Sequence, residues 1–285
     1  MKYITKDILD VDDFLNLEKI KKPHDNHIHV KTVYNFKNEL KISYINYIFF
    51  AKKYRLKDLP VNSRIKIADK KSFIEHYENP KKFSDFIDKF RHDNRSGFCY
   101  MCGALSAGTL DHLLPKDEYP DFSFFSKNLI PSCECNQNKK KNISSGLNPH
   151  FYQECDNELY YLDININGIT NNQISYTFEI KVKKNFSNNF NELIEYHLNN
   201  HILKFSDIEN YMKNQCGRIL NNPIQALSIR KKITKSQLIE KVEDLYFIAK
   251  NEAGSPNRWD AVLYRGLLKR SVISYIFNEI HKQYP

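Results

Sequence analysis

The sequence predicts an α+β fold, mostly helical, with a ββα unit near its centre and a small antiparallel β-hairpin behind it. Three observations carry that expectation. Apolar residues recur at helical spacing in both terminal regions, as in Phe86, Ile87 and Phe90 or Leu238, Val242 and Leu245. Two later runs, Leu162/Ile164/Ile166 and Ile174/Tyr176/Phe178/Ile180/Val182, alternate apolar and polar residues, the period of half-buried strands. Between them lies Cys99 to Asn142, where two cysteine pairs bracket a loop. The expected organisation is a helical region over residues 1–90, the central unit over 91–155, and the hairpin with a C-terminal helical region over 156–285.

At 285 residues, with 41 % hydrophobic and 13 % aromatic content, the chain can bury a full core and is not disordered. Its 43 Lys and Arg against 34 Asp and Glu give a net charge of +9, spread over short clusters. That balance suits a polyanionic partner without requiring one.

Taken in order, Asp10-Val-Asp-Asp-Phe-Leu15 reads as a short helix. His24, His27 and His29, following Pro23, match no metal-ligand spacing and read as a surface loop. Asn38 to Tyr54 is a helix apolar on nearly all sides, which predicts burial among several neighbours. A further helix through Phe73, Ile74 and Tyr77 is broken by Asn79-Pro80, and one through Phe83, Phe86, Ile87 and Phe90 delivers the chain to the first cysteine pair. Beyond the centre, Asn167-Gly168 is a hairpin signal between the two strands. Phe190, Leu193, Ile194, His197, Leu198 and Ile202 mark a helical stripe, with His197 and His201 as packing or surface residues. Thr234-x-x-Gln237 opens another helix in capping-box register, and Ser255-Pro256 is the expected start of the last, which carries Trp259, Leu263, Leu267, Ile273, Ile276 and Phe277.

The central stretch carries the chemistry. Cys99, Cys102, Cys133 and Cys135 are four soft thiolate donors, suited to a structural Zn²⁺ that clamps a unit too small to rely on its own core. Asp111 and the amide oxygen of Asn136 are hard ligands suited to Mg²⁺ or Mn²⁺, so the two sets predict two metals. His112, adjacent to Asp111, is the candidate general base, and Pro115 marks the strand end where the two can aim at one phosphate. Asn128 is positioned to tie the connecting loop to the backbone around His112. Lys116, Lys139 and Lys140 are candidate phosphate contacts, and Asn138 is a fallback metal ligand.

With Asp111-His112, Asn128 and Asn136 between the cysteine pairs, the stretch resembles the HNH endonuclease family and its ββα-metal unit, as an H-N-N variant. The resemblance implies that Asp111 and Asn136 are catalytic metal ligands, His112 the general base and Asn128 the loop brace. Here the second pair, Cys133-Glu-Cys135, is one residue shorter than the family's usual Cys-x-x-Cys. Leu147-Asn-Pro149-His-Phe151 and Asn257-Arg-Trp259-Asp-Ala-Val-Leu-Tyr264-Arg are similar to strings in HNH proteins of bacterial anti-phage systems, such as Septu and retron-associated nucleases, several of which work beside an ATPase partner.

The expectation is thus a metal-dependent endonuclease acting on DNA in anti-phage defence. RNA or tRNA cleavage, and a catalytically silent zinc-stabilised nucleic-acid-binding or partner-binding protein, are the alternatives. The segment Met1-Lys-Tyr-Ile-Thr-Lys-Asp does not read as a secretory signal. The most apolar run, Ile42 to Ala51, is too short to cross a bilayer, so the expected setting is cytoplasmic, with reduced thiols and no membrane.

Overall fold

The computed structural model describes residues 1–5, 10–21, 27–81, 84–93, 97–105, 108–137, 146–170 and 173–284. Helices α1 (Asp13–Glu18), α2 (Ile28–Asn35), α3 (Lys37–Lys52), α4 (Ile67–Glu78) and α5 (Phe86–Asp93) lead to a two-stranded antiparallel pair, β1 (Thr109–His112) and β2 (Leu129–Ser132). A four-residue helix, α6 (Glu134–Gln137), follows. A second antiparallel hairpin, β3 (Tyr160–Thr170) and β4 (Gln173–Val182), precedes the helical remainder. This comprises α7 (Asn188–His197), a single π turn over Leu198–Ile202, α8 (Leu203–Phe205), α9 (Ile208–Asn221), α10 (Pro223–Ala226), α11 (Lys235–Ala253), α12 (Trp259–Leu267) and α13 (Arg270–Gln283). The fold is α+β, and one hydrophobic core runs from the N-terminal helices to α13.

Local chemistry explains the ends of the elements. Asp12 caps α1 by accepting from the Leu15 N–H at 2.9 Å. In α11, Thr234 and Gln237 exchange the two bonds of a capping box, and Gly254 closes the helix in the left-handed conformation at φ +59°.

Helix α3 supports everything that follows. Leu40, Ser43, Tyr44, Tyr47 and Ala51 form its buried stripe. Tyr44 stacks on Phe125 with centroids 4.1 Å apart, and Tyr47 meets Phe122 edge-on at 4.9 Å. Each such ring contributes on the order of 2 kcal/mol by burial, and the contact geometry adds about 1 kcal/mol per pair. The segment joining β1 to β2 is thereby fixed to α3.

Several expectations require correction. Helix α3 is not buried all round, because Ile42, Ile45 and Phe49 are 56 %, 57 % and 51 % exposed on the face turned away from that aromatic cluster. Asn167-Gly168 is not the hairpin turn. Gly168, at φ +136°, sits within β3 where the register shifts, a bulge that its missing Cβ permits, and the strands continue to Thr170 and Gln173. Ser255-Pro256 does not start a helix. The Ser255 hydroxyl bonds the Met1 carbonyl and accepts from the Asn257 N–H, so the chain turns there and α12 begins at Trp259. The last helix is also two, since Lys269 is extended and reaches Asp163 and Asn165 on β3. The histidine cluster is not wholly a loop: His29 lies in α2 with Nδ1 3.0 Å from the Ser72 hydroxyl, while His24 lies outside the described residues, as does Phe83. Among the described residues no helix is long and apolar enough to cross a membrane.

Candidate metal centre and the adjoining Asp-His site

The four cysteines of the two pairs converge. Cys99 and Cys135 sulfurs lie 3.6 Å apart, Cys102 and Cys133 sulfurs 3.5 Å apart, and all four lie within 4.8 Å of one another. A tetrahedral ZnS₄ centre with bonds of about 2.3 Å has sulfur–sulfur edges of about 3.8 Å, so donor type and spacing both fit a metal such as zinc. The short Cys133-Glu-Cys135 spacing is accommodated because α6 starts at Glu134 and turns Cys135 back under the first pair. Backbone N–H groups of Cys102 and Cys133 point at the Cys99 sulfur at 3.4 and 3.3 Å, and that of Cys135 at the Cys133 sulfur at 3.4 Å. Burial alone raises the Cys99 thiol pKa, but hydrogen bonds from the other three cysteines and the Cys133 N–H hold it well below the ordinary value. Cys102 goes the other way, chiefly through burial.

The cluster is also a tertiary junction. The Trp259 indole N–H donates to the Cys102 carbonyl at 2.7 Å, and the Trp259 backbone N–H donates to the Gly103 carbonyl at 3.2 Å. Gly103, at φ +84°, lies so close to the Asn257 carbonyl that a Cβ there would overlap it. Asn257 itself bonds the carbonyls of Cys155 and Asn157 at 3.0 and 2.7 Å and accepts from the Leu159 N–H at 2.8 Å. The Asn257-Arg-Trp259 string thus fastens the C-terminal helices onto the first cysteine pair. The sequence marked it only as a short likeness. The other two cysteines, Cys155 and Cys216, are buried apart as free thiols.

Strand β1 ends at Asp111 and His112, opposite Ile130 and Leu129. The Asp111 carboxylate accepts from the His112 N–H at 2.7 Å and lies 3.8 Å from His112 Nδ1. His112 Nε2 lies 2.8 Å from the Ser123 carbonyl, which can only accept, so the neutral ring carries its proton on Nε2 and is basic at Nδ1. The Tyr77 ring packs edge-on against the imidazole at 4.3 Å, with its hydroxyl donating to the Leu110 carbonyl. Tyr77 in turn carries Arg91 over its ring at 4.4 Å and Lys116 at 5.1 Å. Lys116 pairs with Glu78 at 2.8 Å.

Asn128 lies fully buried behind this pair. Its side chain accepts from the Leu114 N–H at 2.8 Å and the Tyr47 hydroxyl at 3.2 Å, and donates to the carbonyls of Leu114 and Phe122 at 3.1 and 3.2 Å. Its own carbonyl accepts from the Leu113 N–H at 2.8 Å. Asn148 and His150, from the Leu147-Asn-Pro149-His string, brace its neighbours: Asn148 donates to the Lys127 carbonyl at 3.1 Å and His150 Nε2 bonds the Leu129 carbonyl at 2.8 Å. Burial pushes the His150 pKa down to about 3, so the ring is a neutral strut. Asp13 of α1 adds a further tie through the Ser126 N–H at 2.9 Å and hydroxyl at 2.6 Å, with burial raising its pKa to about 6. Replacing Asn128 by alanine leaves buried backbone groups unpaired, and a loss of about 3 kcal/mol or more in a denaturant titration is expected. A loss under about 1 kcal/mol would show that Asn148 and His150 hold the loop unaided.

Asp111, His112 and Asn128 therefore meet around the end of β1, and the four cysteines meet beside α6. The backbone of Asn136 belongs to α6, which packs near β1, while its side chain lies outside the described residues. Asn138, Lys139 and Lys140 lie outside them too. Tyr77, Asn148, His150 and Trp259 are structural partners of the site that sequence reasoning missed. Their signal, a polar or aromatic residue amid helical or loop sequence, has no local period.

What fold and site define at this point is the class: an α+β protein with a four-cysteine centre able to hold a metal and, beside it, a braced Asp-His pair at a strand end. No protein-family model matches the chain, and no curated protein or solved structure matches it either.

Proposed function

We propose that the chain is a metal-dependent endonuclease of the HNH type, in which residues 109–137 form the ββα-metal unit and the four cysteines hold a structural zinc. The observation that carries this reading is the geometry at His112, where the Ser123 carbonyl fixes the ring proton on Nε2 and turns the basic Nδ1 toward the side of Asp111. Asp111 and Asn136 would hold a hard divalent cation, Mg²⁺ or Mn²⁺, which when bound would neutralise charge on the scissile phosphate and on the departing oxygen. The protein's own part is smaller and specific. His112 takes the proton of the attacking water at Nδ1, Asn128 keeps the ring's backbone in place, and Lys116, with Lys139 and Lys140, attracts the phosphate backbone. Attack by water leaves 5′-phosphate and 3′-hydroxyl ends. DNA is the expected substrate in an anti-phage setting beside an ATPase partner, the biology that the HNH resemblance implies.

A panel of supercoiled plasmid, linear duplex, single-stranded DNA and RNA, each with Mg²⁺, Mn²⁺ or a chelator, is the test. Cleavage of DNA in Mg²⁺ or Mn²⁺ and none in chelator is expected; RNA cleaved in preference would move the substrate class. A second reading, a zinc-stabilised binding protein without hydrolysis, draws on the His112 side chain being only 4 % exposed. Binding without cleavage in every divalent metal is its signature.

A further inference from the structure

The exposed face of α3 and the segment 59–64 enclose a cleft of about 390 Å³, lined among others by Ile42, Ser43, Asn46, Val61, Asn62 and Asp121. That volume lies within the range of ligand-sized sites. Asp121 is only 1 % exposed, and its Oδ1 has no hydrogen-bond partner. A buried carboxylate oxygen left unpaired costs stability, and such groups in folded proteins call for an explanation. Around it the lining is mixed: Ile42 and Val61 are apolar, while Ser43 and Asn62 are polar, bonded to each other at 3.2 Å, and also hydrogen-bond the Asp121 carboxyl, whose pKa burial raises, which leaves Oδ1 as the open acceptor. The acceptor at the floor therefore suits a cationic donor carried on an apolar stem, the chemistry of a lysine or arginine side chain.

The cleft opens onto an apolar stripe. Ile42 lines it, and Ile45 and Phe49 continue along α3 at i+3 and i+7, all more than half exposed, with Val61 50 % exposed across the mouth. From Ile42 to Phe49 the stripe extends about 10 Å, two turns of a helix. A small amine would leave this surface uncovered, whereas a polypeptide would cover it. At the rim, Glu39 adds a second carboxylate, and Arg64 is paired with it at 3.6 Å.

We propose that this cleft is a docking site for a partner polypeptide, which lays an apolar face along Ile42, Ile45 and Phe49 and inserts one lysine or arginine side chain onto Asp121. The site borders the stripe of α3 that packs against Phe122 and Phe125, with Ser43 and Phe122 in its own lining, and it does not depend on whether the chain cuts nucleic acid.

Calorimetry on the full chain tests it with two probes: Nα-acetyl-arginine methylamide, and a short amphipathic peptide carrying one arginine ahead of leucines on one face. The peptide is expected to bind at least about tenfold tighter than the arginine amide. Its citrulline version, isosteric and neutral, is expected to lose at least about tenfold. Asp121→Asn should lose the same factor for both probes while its melting temperature stays equal to or rises above that of the parent, because the buried charge is gone. The double variant Ile45→Ser, Phe49→Ser, both on the surface, should weaken the peptide alone. The proposal fails if neither probe binds, if binding survives Asp121→Asn, or if Asp121→Asn melts below the parent, which would make Asp121 a structural residue. It fails equally if the arginine amide binds as tightly as the peptide, which would mark a small-cation site, or if a single-stranded oligonucleotide displaces the peptide.

Discussion

Stripping the proposed zinc from the four-cysteine centre is expected to move the fluorescence of Trp259 to the red and to lower the melting temperature by more than about 10 °C. Trp259 is the single tryptophan of the sequence, so the signal is unambiguous. Its indole is 8 % exposed, packs against Tyr211 at 5.4 Å and donates to the carbonyl of Cys102. The Cys102 carbonyl is held by the same turn that presents the Cys102 sulfur, so loss of the cation frees the turn and with it the acceptor of the indole. Structural zinc sites contribute on the order of 10 kcal/mol to folding, more than the net stability of many domains.

Cys102→Ser should reproduce both effects without chelator, with about one equivalent of zinc lost by elemental analysis. Since α12 begins at Trp259, the first secondary structure lost should be C-terminal helix, visible as reduced far-ultraviolet ellipticity. A metal-free protein with unchanged emission and an unchanged melting temperature would show that the Trp259 anchor stands on packing alone.

How much of this was legible in the sequence follows from the range of the interactions. The capping box at Thr234, the helix it opens and the alternation of the β3 and β4 residues depend on neighbours a few positions away, and they are found where the pattern puts them. The four cysteines could be grouped because their chemistry admits few uses. Partners far apart in the chain left no such mark: Trp259 meets Cys102 across 157 positions, and Asn148 meets Tyr47 across 101. The face of α3 that stays exposed was equally hidden, because Ile42, Ile45 and Phe49 look like core by composition and only the placement of the segment joining β1 to β2 decides which stripe is covered. Asn167-Gly168 and Ser255-Pro256 misled for a related reason. The same residue types that favour a turn or a cap also suit a bulge and a tight tertiary anchor, and long-range bonds selected the latter.

His112→Ala is expected to reduce cleavage by about 10²- to 10⁴-fold, the usual contribution of a positioned general base. The ring has a structural share as well, since it packs on Tyr77 and bonds the Ser123 carbonyl, so lost activity alone does not separate the two roles. Three further readings do. Zinc content and Trp259 emission should stay those of the parent, because the ring packs on Tyr77 and bonds the Ser123 carbonyl, and neither residue supplies a cysteine ligand. Affinity for uncleaved duplex should change by less than about threefold, because the proposed mechanism gives attraction of the backbone to Lys116, Lys139 and Lys140 and not to the imidazole. Added imidazole should restore part of the rate in His112→Ala, since the space left by the ring accepts a free one with the Ser123 carbonyl still in place to orient its N–H. Cleavage by His112→Ala within about twofold of the parent would remove His112 from the chemistry and leave the Ser123 bond as an ordinary brace. A rate lost together with zinc and fold would instead assign the ring to the architecture that Asn128, Asn148 and His150 already maintain.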